Sequence, residues 1–235
     1  MDAASVSHPK LDELIAVLAR LRAPGGCAWD REQTHESLVT HLVEESYELV
    51  DAIESGGRAD LIEELGDVLY QVVFHADIAA NDPVEAFDLE DVAAHMTAKM
   101  IGRHPHVFGD AVATTAGEVV ALWDELKAIE KPARSSVLDG IPPHLPSLQR
   151  ADKLLGRAAK IGVVDTAWER PGAPTAGEDE PGEGAAASAL GEDELGDALL
   201  AMVADARSQG LDAERALRGA TRRLEQRIRD AEVGS

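Results

Sequence analysis

Leu61-Ile62-Glu63-Glu64-Leu65-Gly66-Asp67-Val68-Leu69-Tyr70-Gln71-Val72-Val73-Phe74-His75-Ala76-Asp77-Ile78-Ala79 is the stretch that decides the fold. Wound at about 100° per residue, it puts Leu65, Val68, Leu69, Val72, Val73 and Ala76 on one side, while Tyr70, Phe74 and Ile78 carry apolar surface around the other. Only a narrow stripe remains for Glu64, Asp67, Gln71 and His75. A helix this apolar is expected to be buried. An ionised carboxylate taken into an interior costs several kcal/mol unless it is paired or bound to metal. Few basic residues stand nearby, so a cation is the better partner.

The preceding stretch supplies a second acidic pair. Leu38, Val39, Leu42, Val43, Tyr47, Val50 and Ile53 recur at helical spacing and leave Glu44, Glu45 and Glu48 on the opposite face, which alone reads as a solvated surface. Residues three apart are neighbours on a helix, so Glu45 with Glu48 and Glu64 with Asp67 form two carboxylate rungs. The short connection from Ser55 to Asp60 favours antiparallel packing, which lets the rungs face each other. An all-oxygen ligand set suits Mg²⁺ or Mn²⁺ rather than zinc, and Mg²⁺ commonly takes phosphate oxygens as further ligands. The pattern therefore predicts a phosphorylated substrate.

Composition narrows the rest. Aromatics make up 3% and hydrophobics 45% of the 235 residues, mostly Ala, Leu and Val, and no run of alternating β-branched residues bounded by turns appears, so the chain is expected to be all-α. Asp and Glu outnumber Lys and Arg by 44 to 22, and the net charge of −22 would repel a polyanion such as nucleic acid. Cys27 is the single cysteine, which rules out an internal disulfide and suits a reducing cytoplasm. Neither a signal peptide nor an apolar run of membrane-spanning length is read, so no membrane partner is expected.

Gly, Pro and polar punctuation predicts helices from Lys10 to Leu21, from Thr34 or Ser37 to Glu54, from a cap at Asp60 to the Asn81-Asp82-Pro83 breaker, from Leu89 to Ile101, from Thr115 to Lys131 and from Ser147 to Lys160. The expected organisation is a helical domain over 1–131, a connector and linking helix over 132–170, a flexible acidic Gly/Ala/Pro loop over 171–189, and a remnant over 190–235. That remnant is a repeat. Glu64-Leu65-Gly66-Asp67 returns as Glu194-Leu195-Gly196-Asp197, and Lys99 and Arg103 have counterparts in Arg223 and Arg227. The second copy lacks the helix carrying the Glu45 and Glu48 pair, so it should not hold metal in the same way.

Cys27-Ala28-Trp29-Asp30-Arg31-Glu32-Gln33-Thr34, Glu44-Glu45-Ser46-Tyr47-Glu48, Glu63-Glu64-Leu65-Gly66-Asp67-Val68-Leu69 and Arg103-His104-Pro105-His106-Val107-Phe108, with Trp123 and Leu138-Asp139-Gly140-Ile141-Pro142, resemble the MazG nucleoside triphosphate pyrophosphohydrolases. The resemblance implies an all-α MazG-like bundle that dimerises, and Mg²⁺-dependent hydrolysis of nucleoside triphosphates to monophosphate and pyrophosphate. It makes Glu45, Glu48, Glu64 and Asp67 the metal ligands. Glu44 is the candidate to orient or deprotonate the attacking water. Lys99 and Arg103, four apart, are candidates to clamp phosphates, Trp29 and Trp123 to stack on a base, and Lys127 to add a further phosphate contact. His75 reads as a satisfied buried histidine. Ala28 departs from the proline usual at that position in the family, and the second repeat is degenerate. The competing reading is a noncatalytic nucleotide- or metal-binding regulatory helical dimer.

Overall fold

In a computed structural model, residues 7–130, 135–163 and 191–233 are described. They form ten helices and no strand: α1 (Pro9–Arg22), α2 (Ala28–Glu32), α3 (Val39–Ser55), α4 (Arg58–Ala80), α5 (Leu89–Arg103), α6 (Pro105–Phe108), α7 (Ala116–Glu130), α8 (Ser147–Lys160), α9 (Glu192–Ser208) and α10 (Ala213–Val233). The loop expected at 171–189 lies outside the described residues. The chain divides into two units, Met1–Ala128 and Ile129–Ser235.

Local chemistry sets the helix ends of the first unit. Pro9 starts α1, where its missing N–H costs nothing. After α1 the chain turns so tightly that a Cβ on Gly26 would lie 2.1 Å from the Leu21 carbonyl oxygen, so only glycine fits. The segment after it forms the short helix α2. Gly57, not Asp60, is the cap of α4; Asp60 sits in the first turn and accepts the Gly57 N–H at 2.6 Å. Asp88 and Asp91 close the start of α5 reciprocally.

Around this frame α3 packs along α4, α1 crosses α4 and α2, and α5 packs on α4. Leu18, Leu38, Val73 and Phe74 are the buried centre, with Leu14, Ile15, Tyr70, Ile78 and Leu89 against them. Arg22 pins three elements together. Its Nε donates to Asp77 on α4 at 2.5 Å, its Nη1 to the Asp30 carbonyl at 2.6 Å, and its guanidinium lies 5.1 Å from the Phe74 ring centre.

One expectation is corrected here. Helix α4 is not buried nearly all round: Leu65, Leu69 and Val72 are 51%, 41% and 40% exposed, and Val39, Val43 and Tyr47 of α3 are exposed as well. The reason is coverage. The core lies on the C-terminal half of α4, at Val73, Phe74, Ala76 and Ala79, and leaves the Leu65 to Val72 ridge uncovered.

The second unit is smaller. Helices α8, α9 and α10 pack on one another around Leu155, Ala201 and Val203. Arg207 of α9 ties it to α8, donating to the Asp152 carboxylate at 2.7 Å.

Candidate metal centre

The antiparallel pairing of α3 and α4 brings the two acidic rungs together. Carboxylate oxygens of Glu45, Glu48 and Glu64 all lie within 4.8 Å of one another, and among the described residues no other group of three or more such side chains does so. Glu45 and Glu64 are half-buried and Glu48 is exposed. Asp67 is exposed beside them, near enough to push both glutamates electrostatically.

Electrostatics in this cluster are unfavourable as they stand. Burial, then Asp67 and Glu48, raise the Glu45 carboxyl above its usual range. Burial, then Glu48 and Asp67, raise that of Glu64. The Oε2 atom of Glu64 is buried with no hydrogen-bond partner. Native interiors rarely leave a buried carboxylate oxygen unmatched, and three convergent carboxylate oxygens are the donor set of a hard divalent ion. The residues present therefore fit a metal.

The flanking candidates fall into separate groups. Glu44 lies outside the group of three but close enough to act on Glu45, with its carboxylate 3.4 Å from His41 Nδ1 on the same helix. Trp29, 52% exposed, packs edge-on to His41 at 5.8 Å between ring centres. Lys99 and Arg103 stand one turn apart and half-buried on α5. Trp123 belongs elsewhere: His104 meets its ring edge-on at 5.2 Å, Lys127 Nζ lies 5.7 Å from its centre, and its own Nε1 is buried without a partner.

Two histidines carry more than their sequence positions suggest. His75 is not satisfied by its own helix: its Nδ1 faces His35 Nδ1 at 2.8 Å with the rings within 4° of parallel, and its Nε2 is buried without a partner. Burial, then His35, hold its pKa below the ordinary value. The other is His41, which touches both Trp29 and Glu44. Its signal was the spacing to Glu44 and Glu45, three and four residues on.

Comparison with known proteins points to one family. A family model for the MazG nucleotide pyrophosphohydrolase domain matches residues 33–108, a span that holds the whole acidic cluster with Lys99 and Arg103. The chain is 44% identical over 223 residues to an uncharacterized 26.1 kDa protein of Streptomyces cacaoi, covering 95% of this chain and 83% of that one. To the nucleoside triphosphate pyrophosphohydrolase of Escherichia coli (strain K12) it is 39% identical over 234 residues, 95% of this chain and 87% of the relative. To the nucleoside triphosphate pyrophosphohydrolase/pyrophosphatase MazG of Thermotoga maritima it is 41% identical over 225 residues, 94% and 85% respectively.

Proposed function

The chain belongs to the MazG nucleotide pyrophosphohydrolase family, and on that premise we propose that it hydrolyses nucleoside triphosphates to monophosphate and pyrophosphate, with Mg²⁺ or Mn²⁺ as cofactor. The observation that carries the reading is the convergence of Glu45, Glu48 and Glu64 within 4.8 Å, with Glu64 Oε2 buried and unmatched. These three, with Asp67 beside them, would hold the ion. Held there, a divalent ion would supply positive charge to offset that of the phosphate chain and would make nearby water more acidic.

The chain's own residues supply the remaining steps. Glu44 takes the proton of the attacking water, steadied by His41 at 3.4 Å. Lys99 and Arg103 hold the phosphates as the bond between the α and β phosphates breaks and charge builds on the departing pyrophosphate. The half-exposed ring of Trp29 offers a stacking face that any base can use, which favours broad specificity and a role in clearing the nucleotide pool. Trp123 and Lys127 add a second contact from α7.

The uncovered apolar faces of α3 and α4 support a homodimer that buries Leu65, Leu69, Val72, Val39 and Val43. A cytoplasmic location is supported by the lone Cys27, and no helix among the described residues is long and apolar enough to cross a membrane. The second unit is read as a degenerate repeat of the first. The test is a pyrophosphate-release assay with Mg²⁺ over canonical and oxidised nucleotides. Pyrophosphate and monophosphate in equal amounts are expected; orthophosphate and diphosphate instead, or no product from folded protein, overturn the reading.

A further inference from the structure

The second unit contains a hollow of about 260 Å³ between the C-terminal half of α8, the end of α9 and the loop at Gly140 to Pro142. Its charged lining is Lys153, Arg157 and Lys160 from α8 and Arg207 from α9, against one carboxylate, Asp152. That carboxylate is already engaged, because Arg207 Nη1 donates to its Oδ1 at 2.7 Å and to its backbone carbonyl at 3.3 Å. Lys153, Arg157 and Arg207 alone outnumber that carboxylate by three to one, in a chain whose overall charge is −22.

Helix chemistry explains only part of this. Arg157 and Lys160 lie in the last turn of α8, where cations complement the helix dipole. Lys153 lies outside that turn, and Arg207 arrives from another helix. The Arg207 guanidinium lies against Gly156: a Cβ there would come within 2.6 Å of its Nη2 and 2.9 Å of its Cζ, so this flexible end would have to shift. The repeat makes the point sharper. Counted from the shared Glu-Leu-Gly-Asp run, Arg207 occupies the position of Asp77, the acid that pairs with Arg22 at the end of α1. In the second unit that position is a cation, and its partner is Asp152 of α8.

We propose that this hollow binds a small polyphosphate anion, either free pyrophosphate or the phosphate chain of a nucleotide. Its volume suits a phosphate chain better than a whole nucleoside. The planar forks of Arg157 and Arg207 match phosphate oxygens two at a time. The site is independent of the carboxylate cluster and of any catalysis there.

The test is calorimetric titration of inorganic pyrophosphate into the full chain in EDTA, where the acidic cluster has no metal and repels the ligand. One saturable equivalent is expected, weakened at least about tenfold, or about 1.4 kcal/mol, by the double variant Lys153→Gln/Arg157→Gln. Arg207→Gln, which removes the fork contributed by α9, weakens it too. Thermal melts verify that each variant folds. A nucleoside triphosphate titrated in parallel distinguishes the sources: equal affinity assigns recognition to the phosphate chain alone, tighter binding to the nucleotide. No saturable binding, equal binding by the Lys153/Arg157 variant, or sulfate binding as tightly as pyrophosphate overturns the proposal.

Discussion

Glu64 and Glu194 each open the run Glu-Leu-Gly-Asp, and the helices around them give the two carboxylates different tasks. Helix α4 starts at Arg58, so Glu64 falls in its second turn, beyond reach of the free N–H groups at the helix start, and faces Glu45 and Glu48 of α3. Helix α9 starts at Glu192, so Glu194 falls in the first turn and its Oε2 accepts the Gly191 N–H at 3.0 Å. No counterpart of α3 stands beside α9 among the described residues. A carboxylate with a backbone donor has no need of a metal; one held among other carboxylates does. The connecting ion pairs differ in the same sense: Arg22 and Asp77 are 13% and 18% exposed, whereas Arg207 and Asp152 are 44% and 45% exposed.

This contrast can be broken by substitution. The largest effect is expected from Glu48→Gln, which removes one carboxylate of the cluster: pyrophosphate release should fall about a hundredfold or more while the protein stays folded. Wild-type turnover in that variant would place the chemistry elsewhere, and nucleotide binding without turnover in the wild type would favour the regulatory dimer.

Next comes the pair of arginines. Arg22→Ala loses two charge-assisted bonds and a cation–ring contact in a partly buried place, and should cost about 2–3 kcal/mol in denaturant unfolding. Arg207→Ala, in an exposed pair, should cost less than about 1 kcal/mol. Equal losses would contradict the ranking of the two units. Smaller still, Glu194→Ala should cost about 0.5–1 kcal/mol by removing a first-turn carboxylate and its bond, with turnover unchanged.

The subtlest effect is on pH. Glu45 and Glu64 have carboxyls raised from 4.5, so the folded cluster binds protons more readily than the unfolded chain and metal-free stability should gain as the pH falls towards that range. His75, lowered from 6.5, has the opposite sign: the folded state resists its proton, and stability should be lost as the pH drops below that value. Melting curves between pH 7 and 4 should therefore show an early loss that the carboxylates later offset. In Glu64→Gln the offset should shrink, and divalent metal should raise the melting temperature less than in the wild type. An identical pH profile in the variant would mean the cluster is not under electrostatic strain.

Much of this molecule is legible along the chain because its punctuation is strong. Pro9, Gly26, Gly57, Asp88 and Pro146 fix helix ends to within a few residues, and the rungs at Glu45, Glu48, Glu64 and Asp67 follow from helical spacing alone. Other features depend on coverage or distance. Helical periodicity identifies the apolar ridge at Leu65, Leu69 and Val72 but not whether this chain covers it. The His35 to His75 contact joins residues forty apart, and no local pattern announces it. The role of Glu194 depends on where α9 starts, which sequence periodicity places only to within a few residues.

The most direct measurement compares Glu64→Gln with Glu194→Gln in one assay, following pyrophosphate released from a nucleoside triphosphate with Mg²⁺. Chemistry confined to the α3 and α4 cluster predicts that the first variant loses release and the second keeps the wild-type rate. Loss in both, or loss only in Glu194→Gln, would contradict it.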